Sequence, residues 1–433
     1  MRTLAIIGSG PAGFYTAEAA LKSFGDSIRI DIIDKLPTPY GLIRAGVAPD
    51  HQSIKAVSKR YDSVATDPRV RFLGNVCVGQ NVSINELTAL YDDVVLAVGA
   101  PHDRPLGVPG DDLPGVIGSA AFVGWYNGHP EFADLAPPLQ AQAVAIIGNG
   151  NVAIDCARIL AKTVEELQDS DIVNHALDPL SQSAVKRIHI LGRRGPHQAS
   201  FTLKEVGELG ELHRATPIVR EEDFPPQETD AALETGQRRV VEVLRKFAAA
   251  GPDKSKAVSV SLDFFRRPVR ISGDGKVEAI DVMKTRIDAE GRAADTGEIE
   301  TLPVGLVISC IGYRTSPIEG VPFDQAQGRF ISTDGLIAPG LWCVGWARRG
   351  PTGTIGTNRQ DGFGLVARLA QTPLDGGKAG RAGLDALLSE RGVRISHFGD
   401  WQRIDAAEIA RARAGAPREK IVSLDEMRAV IGS

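Results

Sequence analysis

Two stretches of the chain carry the same ordering of apolar and small residues. Leu4-Ala5-Ile6-Ile7 is an unbroken apolar run, followed by Gly8-Ser9-Gly10-Pro11-Ala12-Gly13 and a helix-patterned stretch from Phe14 to Phe24. Val144-Ala145-Ile146-Ile147 is followed by Gly148-Asn149-Gly150-Asn151-Val152-Ala153 and a similar stretch from Ile154 to Leu167. A short apolar run closed by glycine is the mark of a strand buried on both faces, and the change to a spacing of three and four marks a helix. Each stretch therefore predicts a parallel strand, a tight turn and a helix. Two further apolar runs, Asp93 to Gly99 and Gly305 to Gly312, also read as strands ending at glycine, and each lies downstream of one such unit. The pattern predicts that the chain leaves a first domain near Gly99, builds a second, and returns near Gly312.

The expected fold class is α/β, with two Rossmann-like dinucleotide-binding domains, one inserted into the other. The boundaries follow as 1–103 for the first part of the outer domain, 104–311 for the inserted domain, and 312–433 for the return with a C-terminal region. Elsewhere the signals are weaker. Glu234 to Ala249 reads as a charged helix, and Asp288 to Ile299 as a polar, glycine-containing connection between strands. Leu384 to Glu390 and Ala406 to Arg413 are helical patterns to which residue type assigns no chemistry.

A length of 433 residues agrees with more than one core. The net charge of −5 argues against nucleic acid as principal partner, although a local basic patch stays open. The cysteines, Cys77, Cys156, Cys310 and Cys343, form no CxxC pair and no zinc or iron–sulfur spacing. They read as buried thiols in a reducing compartment, with no bound metal expected and no thiol pair to relay electrons as in a disulfide reductase. The apolar run after Met1-Arg2-Thr3 is too short for a signal-peptide core. The most apolar long window, Ala143 to Ala161, carries Asn149, Asn151, Asp155 and Arg158, which suits no membrane span. A soluble, cytoplasmic protein is expected.

The glycine turns carry the candidate chemistry. In the first, Gly8 permits the turn, Gly10 lets the backbone approach a pyrophosphate, and Gly13 lets the helix pack on the strand. Asp34 ends the strand Arg29 to Ile33, where an acid can bind the hydroxyls of an adenosine ribose. A glycine turn of some other α/β protein is the plain alternative. In the second turn the third small residue is Ala153, and the strand Arg187 to Leu191 ends at Gly192-Arg193-Arg194. Two guanidiniums there can grip a 2′-phosphate that an acid would repel, which favours NADP over NAD; a solvated arginine pair is the alternative. A third cluster, Gly345-Trp346-Ala347-Arg348-Arg349-Gly350-Pro351-Thr352-Gly353-Thr354-Ile355, offers free amides and a flat indole face. It could equally be a loop with a core tryptophan.

Together these residues resemble the adrenodoxin reductase family of NADPH–ferredoxin reductases, over essentially the whole chain. The resemblance rests on GSGPAGFYTAE at Gly8 to Glu18, PTPYGLIRAGVAPDH at Pro37 to His51 and GNGNVAIDCARIL at Gly148 to Leu160. It continues in GRRGPHQASFTLKE at Gly192 to Glu205 and GWARRGPTGTIG at Gly345 to Gly356. It implies an FAD domain interrupted by an NADP domain. It further implies that Ala12, Asp34, Leu42 and Val78 contact FAD near its adenosine and pyrophosphate, alongside Gly8, Gly10 and Gly13. Trp346, Gly353, Thr354 and Ile355 would contact the flavin end, with Gly353 meeting both cofactors. Asn149, Gly150, Asn151 and Val152, with Arg193, Arg194 and Glu205, would contact NADP. Asp34 departs from the glutamate of many relatives, but the shorter arm still reaches a ribose.

His51, Asp155 and Glu205 match polar residues that the family places near the redox centre. Each has an alternative: His51 as the cap of a helix starting near Gln52, Asp155 as an acid favoured by a helix dipole, and Glu205 as a solvated helix residue. The implied activity is hydride transfer from NADPH to FAD, then release of single electrons to a ferredoxin or similar acidic iron–sulfur carrier. The helix with Arg238, Arg239, Arg245 and Lys246 is a candidate docking face for an acidic carrier; Glu234 and Glu242 interrupt it, and a merely solvated face is the equal alternative. Two rivals remain. One is the NADPH-oxidising small subunit of a glutamate synthase, which usually carries an N-terminal cysteine-rich region that this chain lacks. The other is a non-catalytic NADP-binding redox sensor.

Overall fold

The structure is a computed structural model that describes residues 1–374 and 376–432. The chain divides into two compact units, one formed by Met1–His102, Asn127–Pro130 and Tyr313–Ser433, the other by Asp103–Tyr126 and Glu131–Gly312.

The first unit is built on a six-stranded sheet. Its strands lie in the order Leu336–Ala338, Leu341–Cys343, Asp93–Leu96, Arg2–Ile7, Ile28–Ile33, Val70–Leu73. All neighbours are parallel except the outermost pair, Leu336–Ala338 with Leu341–Cys343. The runs Leu4-Ala5-Ile6-Ile7 and Ile30-Asp31-Ile32-Ile33 are buried on both faces, and helices cover the sheet because a parallel sheet cannot leave a face wet. Ile7 aligns with Ile33 on one side and Leu96 on the other, so three strands end in register under the Gly8 turn. The central strand has later strands on both sides, which is the switch point where α/β sheets open a ligand crevice.

The second unit repeats the plan. Its parallel sheet runs Val116–Gly118, Leu306–Ser309, Ala143–Ile147, Arg187–Leu191, Val258–Asp263, Ala215–Ile218. Ile147 aligns with Leu191 and with Ser309 beneath the Gly148 turn. A three-stranded antiparallel sheet, Arg266–Ser272, Ala279–Ile287 and Ala293–Pro303, is added to this unit.

Some elements differ from the sequence pattern. The helix expected from Ile154 to Leu167 ends at Ala161 and restarts as Val164–Leu167. The cause is a capping box, in which Thr163 and Glu166 satisfy each other's backbone amides and fix a new helix start. Most of the polar stretch Asp288 to Ile299 is strand, since Ala293–Pro303 pairs with Ala279–Ile287 across a turn closed by Asp288 and Arg292. The pattern at Ala406 to Arg413 belongs to a longer helix, Phe398–Ala410, started by the His397–Asp400 box. Of the four thiols expected to be buried, Cys156 and Cys343 are, whereas Cys77 and Cys310 are half-buried; all four are free. No helix among the described residues is long and apolar enough to cross a membrane.

One buried ion pair ties the Pro37 to His51 segment to the C-terminal helices. Arg44 donates to both oxygens of Glu408, at 2.8 and 2.5 Å, and stacks over Trp401. Glu408 is fully buried and also accepts from the Ile421 amide at 2.9 Å. Burial alone would raise its carboxyl, but Arg44, the Ile421 amide and Arg418 outweigh that and hold it below the usual carboxylate range. Because the folded carboxyl is the stronger acid, its contribution is complete above the unfolded value of about 4.3 and is lost as pH falls below it. Glu408→Gln is expected to destabilise the protein by about 3–5 kcal/mol, since the charged Arg44 head stays buried without its counter-charge. Thermal unfolding between neutral and acid pH checks this. Loss of stability on acidification should be smaller in the variant; equal acid sensitivity would remove Glu408 as its source.

Candidate functional site

The first glycine turn is shaped by collisions that a side chain would cause. Gly8 has φ +107°, and a β-carbon there would lie 2.5 Å from the Ala97 carbonyl oxygen. A β-carbon on Gly13 would strike the Gly8 carbonyl oxygen. Gly10 is different: a β-carbon there meets no protein atom within 4 Å. The fold needs the first and third glycines; the space above the second is open to a ligand.

Two distant segments come to this turn. Tyr40 donates its amide to the Ser9 carbonyl at 3.0 Å, and a β-carbon on Gly41 would stand 3.1 Å from the Gly10 Cα. Leu42 follows, 44% exposed, at the start of the short helix Leu42–Ala45. From the other side Gly345 approaches so closely that its β-carbon would lie 2.7 Å from the Ala12 Cβ. Thus Gly8, Gly10, Ala12, Gly13, Leu42 and Trp346 are gathered at one place. Asp34 stands at the end of Ile28–Ile33, where its carboxylate accepts from the Ser9 amide at 2.9 Å, the Ser9 hydroxyl at 2.5 Å and the Leu36 amide at 3.0 Å. Ser9 was not singled out from the sequence because the second position of a glycine turn is free to vary; only the fold shows it orienting the acid. Val78 is half-buried in the loop whose Val76 amide binds the Asp34 carbonyl at 2.9 Å.

Trp346 is half-buried, whereas Trp342 is buried in the core. The Trp346 indole stacks on Tyr313 with centroids 6.0 Å apart. Gly353 and Thr354 are exposed, and Ile355 opens the helix Ile355–Leu369. His51 is buried at the N-cap position of Gln52–Lys55, but its side chain makes no cap bond, so capping does not explain it.

In the second unit a β-carbon on Gly148 would strike the Cys310 carbonyl oxygen, whereas one on Gly150 would meet only the Ser200 hydroxyl at 3.9 Å. The segment after Arg194 is fastened to this turn. Ser200 donates its amide and hydroxyl to the Asn149 carbonyl at 3.0 and 2.7 Å, and Thr202 donates its amide to Asn151 Oδ1 at 2.8 Å. Ser200 and Thr202 carry no signal of their own in the sequence. Val152 lies in the first turn of the helix Asn151–Ala161.

Arg193 and Arg194 are exposed, and neither guanidinium has a partner among the described residues. Their backbones are fixed, with Thr285 Oγ1 donating to the Arg193 carbonyl at 2.8 Å and the Phe265 amide to that of Arg194 at 3.2 Å. Glu205 is 8% exposed, so it is not a solvated helix residue, and its Oε2 is buried without a donor. Asn149 Oδ1 is in the same condition. Asp155 binds Arg158 at 2.8 Å, and Arg158, 2% exposed, also reaches Glu208 at 2.9 Å. Arg158 therefore joins the helix of Asp155 to the one carrying Glu205, and Asp155 holds Arg158 from the same helix, which a helix-dipole role alone does not describe.

On the helix Thr235–Ala250, two of the four cations considered for docking are engaged locally. Arg245 binds Asp230 at 2.7 Å, and Arg238 binds the Leu233 carbonyl at 3.1 Å. Arg239 and Lys246 are exposed.

A model of the pyridine nucleotide-disulphide oxidoreductase family matches residues 2–193. The mitochondrial NADPH:adrenodoxin oxidoreductase of Rattus norvegicus is 42% identical over 453 residues, covering 99% of this chain and 91% of the rat protein. The NADPH-ferredoxin reductase FprA of Mycobacterium tuberculosis is 40% identical over 447 residues, covering 98% of each chain. The solved structure of Mycobacterium tuberculosis FprA in complex with NADPH matches with a TM-score of 0.95 and 38% identity over 100% of both chains.

The two kinds of glycine separate by experiment. Gly10→Ala should leave the unfolding temperature within about 2 °C but weaken retention of the dinucleotide at the first turn about tenfold or more. Gly8→Ala should destabilise the fold itself by roughly 2–4 kcal/mol through strain and collision. Calorimetry and cofactor titration of both variants check the assignment; a Gly10 variant that binds normally would show that no ligand uses the open space.

Proposed function

The chain belongs to the family of NADPH:adrenodoxin oxidoreductases and NADPH-ferredoxin reductases, and on that premise we propose that it oxidises NADPH with FAD and passes electrons to an acidic ferredoxin-type iron–sulfur protein. We assign FAD to the unit containing Gly8 and NADP to the unit containing Gly148. The observation that carries the reading is the contrast at the ends of two equivalent strands. Asp34 is oriented by Ser9 in one unit, and Arg193 and Arg194 stand with unpaired guanidiniums in the other.

The residues present suit both nucleotides. Above Gly10 and Gly150 there is room for a phosphate against the backbone. Asp34, turned by Ser9, is an acceptor for the ribose hydroxyls of the first nucleotide. Arg193 and Arg194, with fixed backbones and free heads, bind the 2′-phosphate by charge-assisted bonds. Asn149 Oδ1 and Glu205 Oε2 are buried acceptors without donors, a costly condition that hydroxyl or amide groups of a bound nucleotide would relieve. Gly353, Thr354 and Ile355 present the exposed loop beside Trp346 to the ring end of the flavin. The bound flavin supplies the redox chemistry, accepting a hydride and releasing electrons singly.

We place His51, Asp155 and Glu205 among the polar groups serving the redox centre, without a general-acid role, since hydride transfer to a flavin requires no proton donor. Asp155 acts through Arg158 on the helix that carries Glu205. Arg239 and Lys246 are the cations of the Thr235–Ala250 helix left for an acidic carrier. In the finer designation the activity is that of a ferredoxin–NADP(+) reductase, and the four free thiols suit the cytoplasm.

Replacing Arg193 and Arg194 together by alanine should reduce kcat/KM for NADPH by roughly 2–4 kcal/mol, about 30- to 1000-fold. The loss should appear mainly in KM, and kcat/KM for NADH should change little. Steady-state kinetics with both nucleotides checks this; equal losses would remove the 2′-phosphate assignment.

A further inference from the structure

The loop from Gly350 to Thr354 joins the short helix Trp346–Arg349 to the long helix Ile355–Leu369. Both carbonyls flanking Gly353 are captured by side chains. The Thr352 carbonyl oxygen accepts two bonds, from Trp346 Nε1 at 3.0 Å and from Arg349 Nε at 2.8 Å. The Thr354 carbonyl accepts from Asn358 Nδ2 at 3.2 Å, and Asn358 Oδ1 accepts from Arg349 Nη2 at 3.0 Å. Arg349 is anchored in turn, because its Nη1 pairs with Asp361, whose other oxygen accepts from Arg348 at 2.8 Å. One guanidinium is thus wired to both carbonyls.

A trans peptide points its carbonyl and its amide in opposite directions. Holding the Thr352 carbonyl therefore turns the Gly353 amide away from Arg349, and the Thr354 carbonyl, held by Asn358 and by the Thr357 amide at 3.2 Å, turns the Ile355 amide away from Asn358. Neither amide has an acceptor among the described residues. Ile355 is the first residue of a fifteen-residue helix, where an amide lacks an intrahelical partner. Gly353 sits at φ +82°, and a β-carbon there would press on Thr357 at 2.8 Å, so a residue with a side chain would strain this turn of the loop.

We infer that Arg349 is a positioning residue, which aims the Gly353 and Ile355 amides at the acceptor edge of the ring bound beside Trp346. The inference rests on the assignment of this loop to the flavin end. An arginine is required because the task needs three directions at once: Nε to a carbonyl, one Nη to Asn358 and the other to Asp361. A lysine ammonium is a point charge on a flexible stem and cannot reproduce that fork.

The test uses the full chain, stripped of flavin and titrated separately with FAD and with ADP, which carries the adenine end alone. Arg349→Met should weaken FAD about tenfold or more and leave ADP within about twofold. Flavin fluorescence in the FAD complex should rise toward that of free FAD, and apoprotein unfolding should stay within about 3 °C. Unchanged FAD affinity and fluorescence, or equal weakening of FAD and ADP, would overturn the inference. Should Arg349→Met fail to fold, Arg349→Lys decides: weaker FAD with unchanged ADP supports the fork, and full FAD affinity refutes it. Trp346→Phe separates this inference from the reading beneath it. If that variant leaves flavin fluorescence untouched, the ring does not lie beside Trp346 and both statements fall. If it changes fluorescence while the Arg349 variants are silent, the positioning role alone fails.

Discussion

The two cradles depend on one steric constraint, the absence of a β-carbon where a central strand ends. At Gly8 the space is taken by the carbonyl of Ala97, and at Gly148 by the carbonyl of Cys310. In each unit the glycine that ends the first strand touches the end of the strand that returns to pair beside it. Leu96 and Ser309 lie in register with Ile7 and Ile147, one residue before these contacts. The four apolar runs that stand out along the chain are thus two pairs, each closed by one glycine without a side chain. With φ above +100° at both positions, any other residue would meet strain and collision together.

On this common base the units differ in what stands at the tip of the next strand. Ile33 and Leu191 occupy equivalent register positions beside Ile7 and Ile147. Beyond Ile33 comes an acid whose oxygens are drawn in by Ser9 and Leu36; beyond Leu191 come two cations whose heads have no protein partner. A free guanidinium costs little while water solvates it, so the fold loses almost nothing by leaving the pair available. An acid in the second position would repel a phosphate, and a cation in the first would lack the acceptor oxygens that take both hydroxyl protons. On the proposed reading, the sign of the charge just beyond two equivalent strand ends sorts two otherwise similar cradles.

Much of this was legible because it is local. A strand, a glycine turn and a helix leave a pattern within about twenty residues, so both strand–turn–helix units, and the places of Asp34 and the arginine pair just beyond their strands, could be read directly. What escaped is what joins distant segments. Arg44 and Glu408 are 364 positions apart, and no periodicity links them. Ser200 and Thr202 matter only because the fold returns them to the Asn149 turn. The Arg238 to Lys246 helix shows the same limit: its four cations look alike in sequence, but Arg245 has a partner in Asp230 and Arg238 in a carbonyl. The break at Lys162 is a partial exception, since the Thr163–Glu166 capping box is itself a local signal that a helical spacing overran.

The distribution of satisfied and unsatisfied groups gives these observations a common sense. Around each turn the carbonyls are paired inward: that of Ser9 by Tyr40, that of Asn149 by Ser200, that of Thr352 by Trp346 and Arg349. The groups left over are of other kinds, namely the guanidiniums of Arg193 and Arg194, the buried oxygens of Asn149 and Glu205, and the amides near Gly353. A protein that folded only for its own stability would gain by pairing the buried oxygens, because each costs about 1–3 kcal/mol without a donor. Their persistence beside a rigidly tied backbone is what a preorganised site requires, since groups held in place before the ligand arrives lose little further freedom when it binds. On the proposed reading, the rigidity serves the fold and the unpaired groups serve the ligand.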